Sequence, residues 1–146
     1  MGLRRREILD DIENAGISVA RLFGVYGKER DAVISRAKIV LNLHYYKAPI
    51  FEIFRVSHLL ANKKCVVSEN GNQDKELEIF ADHAIAHVPK HRLIETLKEL
   101  LADKKKREFL KEKGFEEFSK INLSTNIEKA LSESNRNDFY SPGAVA

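Results

Sequence analysis

Residues 37–71 read AKIVLNLHYYKAPIFEIFRVSHLLANKKCVVSENG, and this stretch decides the fold. The short apolar run Ile39–Leu43 is typical of a buried parallel strand. Pro49 favours the first turn of a helix, because its missing N–H would have no partner there anyway. Residues 51–61 carry an apolar stripe at helical spacing, and residues 64–68 form a second apolar run. The stretch therefore predicts a strand, a loop, a helix and a second strand.

The same alternation extends to both sides of this stretch. Further strands are predicted at 17–23 and 84–88, and the other helices at 4–14, 28–36, 74–80, 93–101, 103–113 and 126–132. Strands that alternate with helices imply a parallel sheet covered on both faces. We expect a Rossmann-like α/β domain of about four strands at residues 1–120. A C-terminal helix at 121–134 and a loose tail at 135–146 should follow it.

Three helix ends have recognisable signals. Gly16 stands where a glycine cap is expected after the first helix. Gly114 is predicted to end the helix at 103–113. Thr125 and Glu128 have the spacing of a capping box at the start of the last helix.

The composition describes a globular protein with modest charge. The chain has 146 residues, 43% of them hydrophobic and 32% charged, with a formal net charge of +3. No apolar run approaches the roughly 18 residues of a membrane span, and the N-terminus lacks the apolar core of a signal peptide. The single cysteine, Cys65, excludes an internal disulfide and is interpreted as a small core residue rather than a nucleophile. A cytoplasmic location is the expectation.

The strand-end loops contain the candidate binding residues. In open parallel sheets, ligands bind beyond the carboxyl ends of the strands, so the loops that follow the predicted strands should share one rim. The helix start near Pro49 would point the free N–H groups of residues 50–52 at the same rim, which suits an anion. The predicted rim residues are Gly24, Gly27, His44, Tyr45, Tyr46, Ile50, Phe51, Glu52, Arg55 and Glu69.

Other ligand classes have little support in the sequence. No GxGxxG or P-loop pattern is present, so neither a dinucleotide nor an ATP site is indicated. His83, His87 and His91 are spaced by four, but Pro89 interrupts any helix there, and we predict no metal site. The basic run 104–107 is read as a solvated helix face, with a weak contact to a membrane surface as the alternative. No nucleic-acid partner is expected.

Four segments together resemble a known family. They are LNLHYY at 41–46, IFEIFRVSHLLANKKCVVSE at 50–69, DKELEIF at 74–80 and LIETLKELLADKKKREFLKEKG at 93–114. The stretch from Arg4 to about Lys120 resembles the C-terminal, donor-binding half of a GT-B glycosyltransferase. The closest likeness is to the group 1 transferases and their CgeB-like branch.

The resemblance implies a function and roles for individual residues. Such proteins transfer a sugar from a nucleoside-diphosphate sugar to an acceptor hydroxyl, with no metal or other cofactor in this domain. In many members two glutamates face the donor, and the second holds the ribose. Glu52 matches the second position, while His44 stands in place of the first. Positive charge for the diphosphate would come from backbone N–H groups at 50–52 and from a nearby cation, Arg55 or Lys47.

The resemblance also implies an incomplete unit. Only Met1–Leu3 precedes the first helix, which is too short for the strand that opens the family's donor domain. The acceptor domain and its general base would come from another domain or another chain, so we expect low activity from this chain alone. The second hypothesis is a non-catalytic interaction or assembly module, in which a homodimer completes the sheet.

Several candidate residues also have a purely structural reading. Glu52 would be either a ligand contact or a helix residue paired with Arg55. His44 would contact phosphate or sugar, or would be a strand-end histidine with a satisfied hydrogen bond. Tyr45 and Tyr46 would stack on a base or sugar, or pack against neighbouring loops. The glycines at 24 and 27 would be turn residues, phosphate neighbours, or both.

Overall fold

The computed structural model describes residues 2–44, 52–70 and 84–134. Within these ranges it contains six α-helices and three short β-strands, joined by turns. The helices are α1 Leu3–Asn14, α2 Gly27–Arg36, α3 Ile53–Ala61, α4 Leu93–Ala102, α5 Lys104–Ser119 and α6 Leu123–Ser134. The strands are β1 Val40–Asn42, β2 Val66–Glu69 and β3 Ala86–Val88. The predicted helix at 74–80 and the tail at 135–146 lie outside the described residues.

The three strands form one parallel sheet in the order β1-β2-β3. Val40 is aligned with Val66, and Val67 is aligned with Ala86. Because all three strands are parallel, their carboxyl ends lie along one edge of the sheet. The α/β class and the parallel sheet are confirmed.

Helices pack on both faces of the sheet, because successive strand residues point to opposite sides. Cys65 and Val67 face α1 and α4, whereas Val66 between them faces α3. The first buried cluster contains Ile8, Ile12, Leu43, Cys65, Val67, Leu93, Leu97 and Leu100. The second contains Val56, Leu59, Leu60, Val66, Ala84 and Ile85. The sheet therefore separates two buried clusters and contributes side chains to both.

The strand predicted at 17–23 is wrong for the described structure. Ile17 and Val19 pack against the first cluster, while Ser18 and Ala20 are exposed, so the alternation of a strand is present. However, no described backbone hydrogen bond joins this segment to β1. The Arg21 side chain instead bonds Asp10 and Glu13 of α1. Side-chain hydrogen bonds to the outer edge of β1, described below, take the place of the expected ladder.

The first helix ends as its glycine predicted. Gly16 has a φ of +84°, which only glycine adopts without strain. Its N–H donates to the Glu13 carbonyl at 2.9 Å, and the Ile17 N–H donates to the Ile12 carbonyl at 3.3 Å. This pair of bonds is a Schellman motif, and it turns the chain back along α1.

Two other helix-end predictions are wrong. Gly114 does not end a helix but lies buried inside α5, which continues to Ser119. The capping-box prediction places the start of the last helix too late. Asn122 precedes α6 and accepts a hydrogen bond from the Thr125 N–H at 3.2 Å. In both cases a local signal was assigned to the wrong role.

Arg107, the last residue of the basic run at 104–107, is buried, whereas the whole run was predicted to be solvated. Its Nη1 donates to the carbonyls of Leu100 and Leu101 at 2.5 and 2.8 Å. These carbonyls at the end of α4 lack helical hydrogen-bond partners. A cation at this position is also stabilised by the negative end of the helix dipole. Arg107 therefore joins α4 to α5, while Lys104, Lys105 and Lys106 remain exposed.

No helix within the described ranges is long and apolar enough to span a lipid bilayer.

Replacement of Gly114 by alanine should destabilise the protein. A Cβ at this position would lie 2.7 Å from Leu60 Cδ2 and 2.9 Å from the Ala84 carbonyl oxygen. Overpacking of this kind costs about 1 to 3 kcal/mol, which exceeds the gain of about 1 kcal/mol from removing a glycine inside a helix. Urea denaturation should therefore show a lower midpoint for Gly114→Ala. Lys105→Ala, on the exposed face of the same helix, is the control and should leave the midpoint nearly unchanged.

Candidate functional site

The first turn of α1 brings two arginines to the carboxyl ends of the strands. Arg4 and Arg5 follow the helix start at Leu3 and make long-range contacts with residues 43–44, 52 and 69. We call Arg4, Arg5, Glu52, Arg55 and Glu69 the rim cluster. It contains three guanidinium groups and two carboxylates, and one net positive charge remains.

Glu52 is held between two arginines. Its Oε1 accepts from Arg5 Nη2 at 2.5 Å, and its Oε2 accepts from Arg55 Nη1 at 2.8 Å. The pairing of Glu52 with Arg55 was one of two readings that the sequence left open, and the structure adds Arg5. Glu52 is also the residue that precedes α3, not part of the helix as its spacing suggested, and its side chain makes no capping bond. Its carboxylate is thus oriented by side chains from two different helices.

The same two arginines satisfy backbone oxygens of the first strand. Arg55 Nη2 donates to the Leu41 carbonyl at 2.7 Å. Arg5 donates to the Leu43 carbonyl through Nε at 2.9 Å and through Nη2 at 2.5 Å. The Arg5–Glu52–Arg55 triad therefore runs along the outer edge of β1.

The second part of the rim cluster connects the first strand to the second. The Arg4 guanidinium donates to Glu69 Oε1 and, at 3.0 Å, to the His44 carbonyl. His44 Nε2 lies 2.9 Å from the Glu69 carbonyl, and the His44 N–H lies 3.4 Å from Glu69 Oε2. Both His44 and Glu69 are buried. The contacts of His44 agree with its structural reading.

The positive charges of the rim cluster would be unfavourable without the two glutamates. Arginines in the first turn of a helix face the positive end of its dipole, which is unfavourable by about 0.3 to 1 kcal/mol each. No acidic residue in the first turn of α1 offsets them. Burial lowers the pKa of the Arg55 guanidinium, and Arg5 adds to this effect while Glu52 opposes it. The two glutamates are therefore the counter-ions that hold the cations together.

A buried polar row crosses the sheet beside the cluster. Asn42 and Ser68 face each other on neighbouring strands, and Asn42 Nδ2 donates to Ser68 Oγ at 3.1 Å. His87 is the next member of the row on β3. Among the described residues, Asn42 Oδ1 has no hydrogen-bond partner although the side chain is buried. Polar groups thus occupy the strand ends on the α3 face as well.

The structure describes six of the ten predicted rim residues. The structure places His44 and Glu69 in one hydrogen-bonded group with Arg4, and Glu52 and Arg55 in a second group with Arg5. Gly24 and Gly27 have φ values of +71° and +56°, and Gly27 is the first residue of α2. Among the described residues no hydrogen bond connects either glycine to the rim cluster. The remaining predicted residues, Tyr45, Tyr46, Ile50 and Phe51, lie outside the described residues.

Sequence reasoning missed Arg4 and Arg5. The available signal was the triplet Arg4–Arg6 in the first turn of a helix, where cations are unfavourable. A charge placed against the dipole needs an anionic partner, and the rim glutamates are that partner. Within the residues that the structure describes, no group of three or more histidines, cysteines or carboxylates is arranged to hold a metal ion.

Comparison with known proteins identifies two viral relatives. Uncharacterized protein L138 of Acanthamoeba polyphaga mimivirus is 30% identical over 96 residues, which is 64% of this chain but 11% of L138. Uncharacterized protein L140 of the same virus is 29% identical over 105 residues, which is 70% of this chain and 34% of L140. The chain thus spans about a tenth and a third of these relatives. No family model and no solved structure matches it significantly.

The Cys65 thiol should be unreactive in the native protein. Cys65 is buried in the first cluster, and burial raises its pKa to about 11. At pH 8 the thiolate, which is the reactive form, is therefore scarce as well as inaccessible. Ellman's reagent should modify the protein stoichiometrically in denaturant but not in buffer. Rapid modification of the native chain would contradict this placement.

Proposed function

We propose that this chain is the nucleotide-sugar-binding domain of a glycosyltransferase, and that the rim cluster binds the donor. The observation that carries the proposal is the convergence of Arg4, Arg5, Arg55 and Glu52 at the carboxyl ends of parallel strands, where such sheets bind ligands. The resemblance of 41–46 and 50–69 to the group 1 transferases supports Glu52 and Arg55 among these residues.

The cluster has the chemistry that a nucleoside-diphosphate sugar needs. Guanidinium groups donate paired hydrogen bonds to phosphate oxygens, and the cluster has one more guanidinium than carboxylate. The Glu52 carboxylate would accept hydrogen bonds from ribose hydroxyls. Arg5 and Arg55, which hydrogen-bond the Glu52 carboxylate, would hold this side chain in one orientation. This lowers the entropy cost of binding the ribose.

In the proposed reaction, the bond between the anomeric carbon and the diphosphate oxygen breaks. A bond then forms between that carbon and the acceptor oxygen. The acceptor proton would pass to a base outside the described residues, and the negative charge that develops on the leaving diphosphate would be stabilised by the rim arginines. Donor binding is therefore the step assigned to this domain.

A non-catalytic assembly module is the second candidate, and one observation favours it. Both rim glutamates are already paired with arginines, and two of those arginines also bond β1 carbonyls. A fully paired cluster can serve the fold alone. The two functions differ in ligand binding, so a titration separates them.

Replacement of Glu52 by glutamine should weaken the binding of a ribonucleotide. We expect ¹⁵N NMR titration with UDP, GDP and their sugars to shift the amides of residues 43–44 and 52–55. Loss of one charged hydrogen bond to ribose corresponds to about tenfold in affinity. The variant should also lose the preference for UDP over 2′-deoxy-UDP, because the 2′-hydroxyl would no longer be recognised by a carboxylate.

The matched control for this titration is Glu13→Gln. Glu13 is also a carboxylate bonded to an arginine, Arg21, but it lies at the other end of α1. This variant should bind like the unaltered chain. If no nucleotide shifts the rim amides at millimolar concentration, the donor-binding proposal is wrong and the assembly module is favoured. Equal losses in both variants would also count against a specific role for Glu52.

A further inference from the structure

The outer edge of β1 is closed by side chains and not by a strand. Val40 donates its N–H to the Cys65 carbonyl at 2.8 Å, so its peptide groups face β2. Peptide groups of the next residue in a strand point to the opposite side, and the Leu41 carbonyl accordingly accepts from Arg55. The Leu43 carbonyl accepts from Arg5. Two guanidinium groups therefore occupy the positions that a neighbouring strand would bond.

Residues 17–23 have the properties of that neighbouring strand. Exposure alternates along Ile17–Arg21, with odd-numbered residues half-buried and even-numbered residues exposed. Ile17 and Val19 pack against the same core as Ile39 and Leu41 of the β1 region. The segment therefore already shares a sheet face with β1, but its backbone is not in the sheet.

The chain connection also suits parallel pairing of this segment with β1. Residues 17–23 are followed by α2 and then by β1, which is the order of a strand–helix–strand crossover. Consecutive strands of such units usually lie next to each other or nearly so. The sequence pattern, the shared core and the connection agree, and only the backbone hydrogen bonds are missing.

We propose that residues 17–23 are a latent fourth strand, and that Arg5 and Arg55 keep it out of the sheet by capping the Leu41 and Leu43 carbonyls. When the two guanidinium groups leave these carbonyls, the segment pairs with β1 and the sheet grows to four strands. The Glu52 carboxylate, which bonds both arginines, holds the two caps as a unit.

The proposed rearrangement couples ligand binding at the rim cluster to strand pairing at the outer edge of β1. An anion that binds Arg5 and Arg55 competes for the same N–H donors as the two carbonyls, so occupancy of the rim favours strand pairing. This coupling rests on the proposed donor site. The latent strand itself does not, because it follows from the outer edge of β1 and from the pattern and packing of residues 17–23.

Hydrogen exchange measured by NMR tests the latent strand without any ligand. The double variant Arg5→Met/Arg55→Met uncovers both carbonyls while keeping the length of the side chains. We expect amides within residues 19–23 and the Leu41 amide to exchange about tenfold more slowly or better than in the unaltered chain, because pairing gives them acceptors. Arg92→Met, which removes only a surface pair with Glu95, is the control and should change nothing there.

Two results would overturn the proposal. One is unchanged exchange in residues 19–23 of the double variant. The other is protection that grows with protein concentration, which would mean that β1 pairs with a second copy. If the double variant does not fold, Arg5→Met and Arg55→Met are measured singly, and each should give part of the protection.

A separate titration of the unaltered chain with inorganic pyrophosphate tests the coupling between the rim cluster and the strand edge. Pyrophosphate should slow amide exchange in residues 19–23, and unchanged exchange would remove the link to the rim but leave the latent strand intact.

Discussion

The structure depends on how the outer edge of β1 is satisfied. Edge strands expose polar backbone groups that need hydrogen-bond partners outside the sheet. Here the Leu41 and Leu43 carbonyls bond Arg55 and Arg5, and Glu52 holds both guanidinium groups. One set of hydrogen bonds therefore closes the sheet, fixes the start of α1 against it and orients Glu52.

This arrangement explains why arginines begin a helix whose dipole opposes them. The first turn of α1 lies over the strand ends, where carbonyls and the Glu52 and Glu69 carboxylates concentrate acceptor groups. Their combined attraction outweighs a dipole penalty of less than about 1 kcal/mol per arginine. The same concentration of donors and acceptors is what makes the rim suitable for a ligand that carries both phosphates and hydroxyl groups.

The parts of the fold that the sequence predicts are those with strong periodicity. β1, β2, β3, α3 and α4 follow from apolar runs and stripes, since these patterns report burial directly. The segment 17–23 was wrongly predicted to be a strand. Its alternating pattern indicates an extended, half-buried chain, but it does not indicate whether a neighbouring strand supplies backbone hydrogen bonds. Gly114 was misassigned for a similar reason, since a glycine signal does not distinguish a helix end from a close helix contact.

The candidate site was only half visible in the sequence. His44, Glu52, Arg55 and Glu69 come directly from the rule that loops at the carboxyl ends of strands meet. Their partners Arg4 and Arg5 are 40 to 65 residues away from them in the chain, so no local pattern connects the two groups. The function assigned to the site remains the proposal made above.

A double-mutant cycle between Arg5 and Glu52 tests most directly whether their ion pair secures the β1 edge. The free energy of unfolding is measured in urea for the unaltered chain, Arg5→Met, Glu52→Gln and the double variant. Contacting groups that act as one unit should show a coupling energy of about 1 kcal/mol or more. Single losses that simply add, with coupling below about 0.3 kcal/mol, would contradict the account.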